Sequence, residues 1–128
     1  MKYNDPARTV GAGRRGRWSA RPRWRVARGA RIALGPGKAD LLEAIGRTGS
    51  ISAAAADLGM SYRRAWLLVD MMNRCFLSPL VATTAQRSRG AALTASGRRV
   101  LHLYRRIEAR SLAAARKEMA ALQRYLRP

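Results

Sequence analysis

Between Gly49 and Met72 the chain leaves itself little choice of fold. Ser50 can cap a helix over Ile51 to Leu58, because a serine hydroxyl accepts from the orphan amides of a first turn. Gly59-Met60 breaks that helix, and Ser61 can cap another from Tyr62 to about Leu77. Glycine suits the bend because it takes a positive φ with no Cβ clash. Ala54, Ala55 and Leu58 form a small apolar face before the bend, and Ala65 and Leu68 form the matching face after it. Ala55 and Ala65 are small enough for the two helices to cross closely. This small–glycine–apolar spacing predicts a helix-turn-helix, whose second helix enters the major groove of DNA.

The exposed start of that second helix points the same way. Ser61, Tyr62, Arg63 and Arg64 occupy its first turn. Arg63 and Arg64 can fork onto guanine O6/N7 or onto phosphates, and the helix N-terminal amides can hold a phosphate. The competing reading makes the arginines a solvated face and packs Tyr62 on the domain. Trp66 fits the core more readily than a contact, yet it belongs to the same helix start and stays among the candidates. Arg74 lies too far down the helix for more than a phosphate.

The rest of the chain frames these helices. Trp24, Val26, Ile32 and Leu34 fall on even positions, as in a half-buried strand, and Gly29 marks a bulge or a turn. Gly35-Pro36-Gly37 is a breaker, and Leu41, Leu42 and Ile45 give a helix over Lys38 to Thr48. After Pro79, Leu80 to Thr84 and Ala91 to Thr94 read as short strands around the basic turn Gln86-Arg87-Ser88-Arg89-Gly90. This is a wing, and arginine on a thin hairpin suits the negative potential of a narrow minor groove. Residues 95–126 read as one long helix. Val100, Leu103 and Ile107 are expected to face the winged domain. Leu101, Tyr104, Leu112, Ala115, Met119, Leu122 and Leu126, with Glu108 in the gap, are expected to face a second copy in a two-fold dimer. The alternative folds this helix back on its own domain.

The expected fold is therefore mainly α with a small β-hairpin wing: a winged helix-turn-helix plus a long C-terminal dimerisation helix. Residues 1–23, rich in Arg, Gly, Ala and Pro, read as a disordered basic arm. Residues 24–95 form the DNA-binding domain, and 96–128 the linker and dimerisation helix.

Charge constrains the partner. The chain of 128 residues has 26 Lys+Arg against 7 Asp+Glu, a net charge of +19. Only Lys2, Lys38 and Lys117 are lysines; arginine is the better residue for bidentate contact with phosphate or guanine. A GC-rich genome would explain arginine over lysine but not the scarcity of acids. Such an excess calls for a polyanion. The candidate DNA contacts are Ser50, Ser61, Tyr62, Arg63, Arg64, Trp66, Arg87, Ser88 and Arg89. An enzyme is not expected: the acids show no paired spacing, and His102, the single histidine, lacks a nearby nucleophile and cannot build a histidine metal cluster. Cys75 reads as a buried, inert thiol. No apolar run approaches the ~18 residues of a membrane span, and no signal-like apolar segment follows the basic N-terminus. A cytoplasmic, nucleoid-associated protein is expected. The rival is a non-specific architectural protein that coats DNA through charge alone.

The runs Gly49-Ser50-Ile51-Ser52-Ala53-Ala54-Ala55 and Leu58-Gly59-Met60-Ser61-Tyr62-Arg63-Arg64-Ala65-Trp66, then Asn73 and Pro79-Leu80-Val81, resemble the DNA-binding domain of ModE-type molybdate-responsive regulators. The related LysR-type winged helix-turn-helix is also similar, and the step Ala92-Leu93-Thr94-x-x-Gly97 matches both. The resemblance covers about residues 24 to 115. It implies a homodimeric regulator with residues 61–66 opening the recognition helix and 86–90 in the wing. The wing is shorter than the glycine-rich loop of that family. Molybdate sensing in the family uses C-terminal domains for which a chain ending at Pro128 has no room, so no cofactor is expected.

Overall fold

The computed structural model describes residues 18–84 and 90–128. A two-stranded hairpin opens it, β1 (Val26–Arg28) and β2 (Arg31–Leu34), followed by helices α1 (Pro36–Thr48), α2 (Ile51–Asp57) and α3 (Tyr62–Cys75). A second hairpin, β3 (Val81–Thr84) and β4 (Gly90–Leu93), leads into α4 (Ala95–Ala114) and α5 (Arg116–Gln123). Both hairpins are antiparallel. This is a winged helix-turn-helix with a helical C-terminal extension.

The run from Trp24 to Leu34 is two strands rather than one. Gly29, at φ +61°, occupies the first position of a two-residue turn between the paired Arg28 and Arg31. A primed turn needs positive φ there, which glycine supplies without strain. Leu34 is buried, whereas Trp24 and Val26 stay half exposed. Helix α1 begins at Pro36, inside the breaker, because proline at a first helical position lacks only an amide that would be orphaned anyway. Gly49 ends it at φ +71°, its amide donating to Ile45 O.

The core lies where α1, α2 and α3 meet. Leu41, Leu42, Ile45, Ala54, Ala55, Ala65, Val69 and Met72 are buried together. Leu80, Val81 and Ala91 bring the wing's base into the same cluster. The amide of Ala91 donates to Gly49 O, and Ser50 bridges to Gly90, so β4 continues onto the α1–α2 turn. Asn73 holds the other side. Its Oδ1 accepts from the amides of Leu80 (2.9 Å) and Val81 (3.1 Å), and its Nδ2 donates to Val81 O. Cys75, at the end of α3, is only half buried.

The C-terminal region departs from expectation in two ways. The long helix breaks at Ala115, whose φ −91° and ψ 7° separate α4 from α5. One turn earlier Ser111 Oγ donates to Ile107 O, a back-bond that bends helices, while accepting from Trp24 Nε1. The faces of α4 are also partly exchanged, although Val100 packs against the core as expected. Tyr104 is 1% exposed in the core of its own domain, and its hydroxyl donates to Trp24 O at 2.7 Å. Leu101 packs partly buried against the same core, while Leu103 and Ile107 are exposed. Leu101 and Tyr104 therefore leave the surface a partner could use. Gly97 sets the rotation: a Cβ there would lie 2.1 Å from Leu80 O, so this helix turns its glycine inward. Leu101, Tyr104 and Glu108 follow Gly97 at 3/4 spacing and face the domain with it.

Candidate nucleic-acid interface

Helix α3 is one-sided. Ala65, Val69 and Met72 recur at i, i+4 and i+7 and are buried, which turns the opposite face to solvent. Gly59, at φ +66°, makes the bend that sets α3 across α2. Ser61 Oγ accepts from the Arg64 amide (3.1 Å), and Ser50 Oγ accepts from the Ala53 amide (3.2 Å). Both serines thus cap their helices as the sequence indicates.

Tyr62, Arg63 and Arg64 are exposed at the first turn of α3. Tyr62 does not pack on the domain; it is 49% exposed. Trp66 is 45% exposed and lies outside the core, because Ala65 takes the inward position next to it. Serine, tyrosine, two arginines and tryptophan therefore share one accessible helix start. Its charge is uncompensated among the described residues. The neighbouring acids are engaged elsewhere, Asp57 with Arg47 (3.1 Å) and Asp70 with Arg74 (3.2 Å). Arg87, Ser88 and Arg89 lie outside the described residues. The wing strands that carry them are paired from Val81↔Leu93 to Thr84↔Gly90.

Beside this surface lies a groove between β2 and α3, lined by Arg31, Ile32, Lys38, Leu67 and Met71. Lys38 Nζ donates to Ile32 O and reaches Met71 Sδ. Burial lowers the Lys38 pKa, and the nearby Cys75 acts in the opposite direction.

The residues that hold the N-terminal segment and α4 to this domain were not legible as a group. Asp40, 6% exposed, accepts from Arg105 (2.8 Å) and Arg21 (3.3 Å). Arg105 also reaches Glu108 (2.9 Å) and Glu43 (3.4 Å). Burial by itself would lower the Arg105 pKa; hydrogen bonds to Asp40 and Glu108, with the charges of Glu43 and Glu108, raise it well above its ordinary value. Burial also raises the Tyr104 pKa, helped by the charge of Glu108. The only sequence signal for this cluster was an acid, Asp40, among the apolar positions of α1.

Residues 38–98 match the bacterial regulatory helix-turn-helix proteins of the lysR family. These residues are a LysR-type helix-turn-helix domain. The matched family is one of regulatory proteins, not of enzymes. The molybdenum-pterin-binding protein MopB of Rhodobacter capsulatus is 45% identical over 78 residues, 59% of this chain and 29% of its own length. The molybdenum transport protein ModE of Azotobacter vinelandii is 42% identical over 78 residues, with the same coverage. The DNA-binding transcriptional dual regulator ModE of Escherichia coli K12 is 41% identical over 71 residues, 54% of this chain and 27% of its own. The LysR-type domain is thus ModE-like, and the chain spans less than a third of the length of these relatives. The protein of the CbnR_DBD-DNA complex has the same fold, with a TM-score of 0.56 and 23% identity over 67% of this chain and 95% of its own. No helix among the described residues is long and apolar enough to cross a membrane.

Proposed function

We propose that this chain is a sequence-specific, double-stranded-DNA-binding transcriptional regulator that works as a homodimer in the cytoplasm, on the nucleoid, without a cofactor. The observation that carries the reading is the exposed, unneutralised start of α3. Tyr62, Arg63, Arg64 and Trp66 stand free there while Ala65, Val69 and Met72 anchor the helix. The start of α3 enters the major groove, Arg63 and Arg64 meet guanine edges or phosphates, and Ser61 and Ser50 hold the amide-rich helix ends against the backbone. Arg87, Ser88 and Arg89 on the wing reach the adjoining minor groove.

The dimer forms along the C-terminal helices. Leu112 and Leu122 are exposed, and Ala115, Met119 and Leu126 are partly so. Pairing of these residues across a two-fold axis sets two recognition helices one or more DNA turns apart.

The test is binding to the native upstream region and to random DNA across a salt series. Preference for the native region is expected, and R63A/R64A should lower affinity by about 1–3 kcal/mol per lost base contact and relax the preference. Equal affinities with one shared salt slope would replace this reading with charge-driven coating.

A further inference from the structure

The face of α4 that the domain leaves free carries a row of arginines with one histidine among them. Arg99, His102, Arg106 and Arg110 recur at i, i+3, i+7 and i+11, and all four are exposed. They lie half a turn from Gly97, Leu101, Tyr104 and Glu108, which pack inward, so the row looks away from the body of the domain. Lys117 and Arg124, both exposed, follow it beyond the break at Ala115. Arg99, Arg106 and Arg110 have no ion pair among the described residues; Glu108 and the other nearby acids serve Arg105. From Arg99 to Arg110 the helix rises about 17 Å.

We propose that this row is a second docking surface, which takes the phosphate backbone of double-stranded DNA at phosphates other than those under α3. The proposal does not depend on which groove α3 reads. Four considerations select this occupant. Arg106 and Arg110 are like charges at i, i+4, an arrangement that destabilises a helix by itself and is relieved by an anion lying across it. A duplex carries a negative charge about every 1.7 Å along its axis, so a straight row of this length meets phosphates throughout. A second copy of α4 would bring the same cations face to face. A lipid surface is disfavoured because Leu101 and Tyr104 on the apolar face of α4 are turned into the domain, and beside the row only Leu103 and Ile107 are exposed.

The experiment is the salt dependence of binding to a long random-sequence duplex for the full chain, R99Q/R106Q/R110Q and R99K/R106K/R110K. The glutamine variant should keep or gain thermal stability and lose up to about 2.7 from the log–log salt slope, at about 0.9 per phosphate. The lysine variant should keep the slope. R63A/R64A, combined with the glutamine variant, should add its own loss. An unchanged slope in the glutamine variant overturns this inference and leaves the role of α3 standing. An unchanged DNA slope with lost binding to phosphatidylserine vesicles also overturns it, and assigns the row to lipid.

Discussion

Asp40 joins three parts of the molecule through two arginines. Removing it takes the shortest of three carboxylate contacts from Arg105, three-quarters buried, leaving Glu108 and Glu43, and takes a carboxylate from Arg21. Breaking a buried pair from one side costs about 3–5 kcal/mol; because water still reaches both arginines, Asp40→Ala should fall near the lower end. Urea unfolding measures it, and a cost within experimental error would mean that the cluster is a surface feature. Gly97 allows no side chain. Gly97→Ala puts a methyl 2.1 Å from Leu80 O, a backbone atom that cannot turn aside. The cost should reach about 3 kcal/mol, at the upper end for overpacking, with loss of the melting transition to lower temperature. Tyr104 gives a pH signature. Its folded pKa is raised, so its contribution is complete below the unfolded value of about 10 and is lost as pH rises through the folded value. Tyr104→Phe should flatten that alkaline decline and cost about 1 kcal/mol at neutral pH through the hydrogen bond to Trp24 O.

At the scale of elements, α3 does two jobs with two ends. Its start is capped by Ser61 and presents the candidate contacts; near its end Asn73 grips the first wing strand through three hydrogen bonds. Ser61→Ala should cost about 1 kcal/mol, as for other caps, and loosen the amide of Arg64 first. Asn73→Ala leaves the amides of Leu80 and Val81 without their acceptor. Hydrogen exchange at those two amides should accelerate more than at Val69 or Met72 in the core; uniform acceleration would mean that the wing and the helices open as one unit. These elements were largely readable in advance. Capping serines, Gly59 and the alanine faces act within one or two turns, so short-range physics specifies them. The rotation of α4 was not readable. Leu103/Ile107 and Leu101/Tyr104 are both apolar at helical spacing, and the lack of room for a Cβ at Gly97 beside Leu80 O favours the second pair for the core.

For the whole molecule, the segment from Trp18 to Trp24 ties the domain to its C-terminal helices. Trp18 Nε1 donates to Arg127 O (2.7 Å), Trp24 Nε1 donates to Ser111 Oγ, and Arg21 meets Asp40. Leu112 and Leu122 remain exposed beyond these ties. In the proposed dimer, L112E/L122E should give monomers by sedimentation with an unchanged far-ultraviolet spectrum; a wild-type monomer at high concentration would remove the dimer from the reading.

The sequence by itself determined the helix-turn-helix, the caps, the wing strands and the polyanion-binding charge, because each depends on spacing along the chain or on composition alone. Only the tertiary structure decided that Trp66 stands outside the core, that Tyr104 belongs inside it, and that Arg21, Asp40 and Arg105 meet. Those outcomes depend on which of several apolar faces finds the closest packing and on pairings up to 80 residues apart along the chain, between Tyr104 and Trp24. Spacing cannot rank such alternatives; close packing can, as at Gly97, where an added Cβ would lie 2.1 Å from Leu80 O.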